Sequence, residues 1–84
     1  MSAERPKLAQ AARLRFDKID QKHLLLSPER GLVLNETATA ILELCDGTRT
    51  AGEIADALRA RWPNAASDEV AAFIDRLRGR GLLS

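Results

Sequence analysis

The residues able to do chemistry in this chain are few and stand apart. There is one histidine, His23, and one cysteine, Cys45, among 84 residues. A metal site needs several convergent ligands, and a disulfide needs two cysteines, so neither can be built within one chain. No histidine–carboxylate pattern stands ready to activate a nucleophile. Gly79 and Gly81 end a helical pattern and do not follow a strand, so they form no phosphate loop. His23 reads as a structural or surface residue at a turn-to-strand boundary. Cys45 falls on an apolar helical stripe, where a free cysteine behaves as a small hydrophobe. Acidity close to a helix C-terminus disfavours a thiolate there. The carboxylates lie mostly at turns and helix starts, where capping accounts for them. The chemistry the sequence offers is therefore binding rather than turnover, with no cofactor and no metal expected.

The elements that would position a binding surface follow from composition and period. A chain this short is one domain, burying only about 60–65% of its unfolded surface, with no room for a deep enzyme cleft. Charged residues make up 30%, yet the net charge is +1, which gives no general pull toward nucleic acid or anionic lipid. No run approaches the roughly 20 apolar residues of a membrane span. The N-terminus mixes Glu4, Arg5, Pro6 and Lys7 with small residues and lacks a signal-peptide core. The expectation is a cytoplasmic protein.

Residues 1–12 read as a flexible tail in which Pro6 and Leu8 could dock, and 13–84 as the folded domain. From Arg13 the pattern alternates, with Leu14 and Phe16 on one face and Arg13, Arg15 and Asp17 on the other, a half-buried strand. A polar turn around Asp20, Gln21 and Lys22 leads to a strand from His23 to Leu26, bounded by Ser27, Pro28 and Glu29. Gly31–Leu34 is a third strand, Leu32 and Leu34 sharing a face. Tight connections make these an antiparallel meander.

Asn35 is a helix N-cap, and Ala38, Ile41, Leu42 and Cys45 recur at helical spacing until Asp46 and Gly47 stop the helix. Thr50 and Glu53 have capping-box spacing. Ile54, Leu58 and Trp62 form the second helix's stripe, and Pro63 ends it. Ser67 is placed as the cap of a third helix with the stripe Val70, Phe73, Ile74 and Leu77. Leu82 and Leu83 then pack back on the core. The order βββααα predicts an α+β fold, winged-helix-like, with its sheet placed first and helices on one face.

Arg76, Arg78 and Arg80 crowd the end of the third helix. Favourable pairing with the helix dipole accounts for them on its own. A DNA-recognition helix would present its N-terminal residues to base edges, and here those are Ser67, Asp68 and Glu69, two of them carboxylates that phosphates repel. A winged-helix DNA-binding regulator is thus the second reading, disfavoured by charge, and a dimerisation module is the third. A sheet this small also has an open edge, which invites an added peptide strand or a second copy. The residues alone do not decide which edge is used.

The ordered series Leu25-Leu26-Ser27-Pro28-Glu29-Arg30, Leu34-Asn35, Ile41-Leu42-Glu43-Leu44-Cys45-Asp46-Gly47 and an amphipathic helix pair resembles the PqqD family, from about Pro6 to Leu83. These are small chaperone-like, peptide-recognition proteins of pyrroloquinoline quinone (PQQ) biosynthesis. The resemblance implies a protein that is not an enzyme and needs no cofactor. It would bind the precursor peptide PqqA and present it to PqqE, a radical S-adenosylmethionine (SAM) enzyme. A recognition domain of another peptide-modification pathway is the alternative. The resemblance also places the peptide as an added strand beside Gly31, Leu32, Val33 and Leu34. The peptide would rest against the third helix near Phe73, Arg76, Leu77 and Arg80. Expected partners are therefore PqqA and PqqE; the charge balance and hydropathy above add no nucleic acid and no membrane, and the open strand edges leave a homodimer open.

Overall fold

The computed structural model describes residues 4–28 and 31–84; Glu29 and Arg30 of the quoted series lie outside them. Three strands precede three helices: β1 (Arg13–Asp17), β2 (Lys22–Leu26), β3 (Gly31–Leu34), α1 (Glu36–Leu44), α2 (Ala51–Leu58) and α3 (Ser67–Gly79). The sheet is an antiparallel meander in the order β1-β2-β3, so β1 and β3 are both edges. This is the α+β architecture that the segregated periods predict.

Local rules build each junction. In the β1–β2 turn, Asp17 Oδ1 accepts from the backbone N–H of Ile19 at 2.9 Å and of Asp20 at 3.3 Å. Asn35 Oδ1 accepts from the N–H of Ala38 at 2.8 Å and starts α1. Gly47, with φ +85°, turns the chain out of that helix through the left-handed region that glycine enters freely. Thr50 and Glu53 form a reciprocal capping box, with bonds of 2.8 and 3.2 Å.

One expected cap is different. Ala66, not Ser67, is the N-cap of α3, with no side-chain cap bond. The preceding turn fixes this: the Ala65 N–H donates to the Trp62 carbonyl at 2.9 Å, and Arg59 Nε donates to the Ala65 carbonyl at 2.9 Å. With Ala65 tied back twice, Ser67 is already in the first turn. Trp62 lies beyond the end of α2, half-buried against the core, with the Arg61 guanidinium 4.5 Å from its ring centre.

The core lies between one sheet face and the helices. Leu25 from β2 meets Ile41, Leu42 and Cys45 from α1, Ile54 and Leu58 from α2, and Val70, Ile74 and Leu77 from α3. Leu82 and Leu83 close it from the C-terminus, as their apolar pair predicts. Residues 4–12, expected as a tail, lie against the domain at the two residues singled out for docking. Pro6 is buried and its carbonyl accepts from the Gly47 N–H at 3.0 Å. Leu8 is the antiparallel bridge partner of Leu83.

Candidate functional site

The edge strand β3 runs through Asn35 directly into α1, and a groove of about 310 Å³ opens at that point. Asn35, Ala38 and Ile41 form one wall, and Glu69, Phe73 and Arg76 of α3 the other, over Leu58 and Val70. Buried apolar side chains supply the floor, while Asn35, Glu69 and Arg76 are exposed at the mouth. The volume is at the bottom of the range for small-molecule sites. It suits side chains of an extended chain better than an enclosed ligand.

The backbone of β3 adds a second element. In an edge strand, alternate N–H and C=O groups point away from the sheet and are open to pairing. β3 bonds only to β2 within the sheet. Its side chains alternate, Leu32 and Leu34 half-buried and Val33 exposed. An extended peptide beside it would gain backbone hydrogen bonds along its length and meet the groove at the Asn35 end.

Of the residues expected to bind, the structure brings together Phe73 and Arg76; Gly31, Leu32, Val33 and Leu34 lie outside the groove lining and reach it only through Asn35, the residue that follows them. Leu77 is 4% exposed and belongs to the core, where it supports the helix. Arg80 is the C-cap of α3, exposed, and lies outside the groove lining. Sequence reasoning missed Asn35, Ala38, Ile41 and Glu69 as groove residues, since capping and core packing already explained them. The spacing of Glu69, Phe73 and Arg76 at i, i+4 and i+7 was a legible signal, because it places all three on one helix face.

Among the described residues no group of three His, Cys, Asp or Glu side chains could hold a metal ion. Burial pushes the Cys45 thiol up to about 11, and the neighbouring Asp46 adds to the shift. The His23 ring packs at a tilt of 53° against Phe16, its β1 partner, with ring centres 4.8 Å apart. No described helix is long and apolar enough to cross a membrane.

Comparison with known proteins decides the family. Residues 22–83 match the sequence profile of "Coenzyme PQQ synthesis protein D (PqqD)". This chain belongs to the PqqD family. Among PqqD relatives, the "PqqA binding protein" of Rhodopseudomonas palustris strain TIE-1 is 40% identical over 83 residues, covering 95% of this chain and 81% of that one. The "Bifunctional coenzyme PQQ synthesis protein C/D" of Methylorubrum extorquens is 47% identical over 53 residues, 63% of this chain but 14% of that protein. A solution NMR structure of the PqqD truncation of Methylobacterium extorquens PqqCD superposes with a TM-score of 0.70 at 36% identity. It covers 94% of this chain and 87% of that one, and is described as a stand-alone recognition element for ribosomally synthesized and post-translationally modified peptides. The PqqD fold is thus the one that the βββααα order builds here.

Proposed function

We propose that this chain is a peptide-binding accessory protein of PQQ biosynthesis, which holds the precursor peptide PqqA and presents it to the radical SAM enzyme PqqE. The observation that carries the reading is an open strand edge, Gly31–Leu34, that leads through Asn35 to an apolar groove walled by Phe73 and Arg76. Backbone pairing along β3 would supply affinity, and side chains seated in the groove would set register. Arg76 at the groove mouth would favour an acidic residue of the peptide. Relatives named as PqqA binding proteins support this assignment.

In this reading the protein performs no bond chemistry. It reduces the conformational freedom of the peptide and delivers an extended segment. Nucleic acid is not part of it, since α3 opens with exposed Asp68 and Glu69. A homodimer would use the same open strand backbone and so compete with the peptide at β3. Raising the protein concentration would then weaken apparent peptide binding.

The test is amide-shift mapping of labelled protein with unlabelled PqqA, followed by the same titration with PqqE added. Perturbations should concentrate on 31–41 and on α3 from Glu69 to Arg76, and a ternary complex should form. Shifts confined to the far end of α1 and the 46–50 turn, with β3 and α3 silent, would refute the site.

A further inference from the structure

The sheet has a second face, and it is not the polar face that a one-sided antiparallel sheet presents to water. Register fixes its composition. Leu25 points to the core, with Leu14 and Leu32 as its cross-strand partners. Side chains alternate along a strand, so Leu24, Leu26 and Val33 point the other way. Leu24 lies between Arg15 and Val33, and Leu26 between Arg13 and Gly31. Val33 is 65% exposed, and Ile19 in the β1–β2 turn is 94% exposed. A shallow depression of about 560 Å³ is lined by Arg15, Lys18, Ile19, Leu24 and Leu26, with Phe16 and one carboxylate, Asp17. At Gly31 an added Cβ would stand 3.1 Å from Leu26 Cδ2, so the glycine leaves that leucine room.

The rim of this apolar patch is basic. Arg13 and Arg15 stand on β1, Lys18 in the turn and Lys22 opposite Asp17. Asp17 is committed to the turn through its Oδ1. Among the described residues none of the four cations is in an ion pair. Arg49, Arg59, Arg61 and Arg78, by contrast, all have carboxylate partners.

We propose that this outer sheet face docks the enzyme that modifies the bound peptide, through a surface on that enzyme with an apolar centre and a carboxylate rim. The inference rests on the peptide-binding reading above. Charge selects this occupant over a second copy. Two copies packed face to face would set the same cations against one another, whereas an acidic rim pairs with them and steers the encounter. Continuity selects the enzyme among acidic partners. Val33 belongs both to this face and to β3, so a peptide strand added at β3 would extend the sheet by about 4.8 Å. An enzyme seated on the outer face would meet that strand at its own border.

The experiment compares the full chain with the double variant Arg15→Glu, Ile19→Asp, both exposed positions outside the peptide site. Each protein is titrated separately with purified PqqE and with PqqA. The variant should bind PqqE about tenfold or more weakly, while its peptide affinity stays within about twofold. Equal enzyme affinity in the two proteins overturns the proposal, as does a wild-type chain that binds peptide but no enzyme. Sedimentation showing a wild-type dimer that the variant dissolves overturns it too, because the face would then belong to a second copy. If the wild type binds no PqqA yet the variant still loses the enzyme, the peptide reading fails and the docking face stands. Should the double variant lose its fold by circular dichroism, Arg15→Glu alone carries the same expectations.

Discussion

Leu8 and Leu83 are antiparallel bridge partners, and they join the two ends of the chain. Two bonds frame the pair, the Ala9 N–H to the Leu82 carbonyl at 3.0 Å and the Ser84 N–H to the Lys7 carbonyl at 2.8 Å, and a third, the Gly47 N–H to the Pro6 carbonyl at 3.0 Å, ties the same segment to the turn after α1. The segment also covers Leu82 and Leu83, which are nearly inaccessible to solvent. Deleting residues 1–9 should therefore cost about 2–4 kcal/mol, from lost hydrogen bonds and newly exposed leucine surface. Urea unfolding measures this, and an unchanged midpoint would mean that the paired ends contribute nothing.

The Thr50–Glu53 capping box gives a second prediction. Thr50→Ala removes the oxygen that accepts from the Glu53 N–H and should cost about 1 kcal/mol. The Glu53 carboxylate is held below its ordinary range, first by the Thr50 backbone N–H and then by the Thr50 side chain. A depressed folded-state value contributes stability above the unfolded pKa, and that stability is lost as pH falls through the folded value. The variant should thus show a shallower loss of stability on acidification. Parallel acid limbs in the two proteins would refute the coupling.

Cys45 supplies the alkaline counterpart. Its thiol is raised from 9.0 to about 11, chiefly by burial. Between those values the unfolded chain gives up the proton while the folded chain keeps it. Stability attributable to this group is therefore present below pH 9 and falls as pH rises toward 11. A thiol reagent at pH 8 should label the native protein far more slowly than the urea-unfolded one. Equal rates would place Cys45 in contact with solvent.

Arg76→Glu tests the groove. The side chain is exposed at the groove mouth and outside the core. Reversing it should weaken PqqA binding by about 1–2 kcal/mol if Arg76 makes a charge-assisted contact, with the melting temperature nearly unchanged. Calorimetric titration reads the first quantity and thermal unfolding the second. Undiminished affinity would remove Arg76 from the site.

The sequence by itself determined what depends on neighbours a few residues away. The third strand is legible in Gly31–Leu34, α1 in Asn35 with its apolar stripe, and α2 in the Thr50–Glu53 box, because capping and side-chain period are local physics. The run of three leucines in β2 told less, since an unbroken apolar strand does not say which residue faces the core. Only pairing settled that: with Leu14 and Leu32 flanking Leu25, Leu24 and Leu26 were left on the outer face beside Val33. Ser67 carried a capping signal, but the Ala65 turn moved the cap to Ala66. Residues 4–12 show no period, and their place was set by Leu82, Leu83 and Gly47, contacts that no local pattern encodes. The groove has the same origin, because Asn35 and Phe73 become neighbours only when α1 and α3 pack over one core. Short-range hydrogen bonds choose the elements, whereas burial of apolar surface, which has no direction of its own, chooses which distant residues meet.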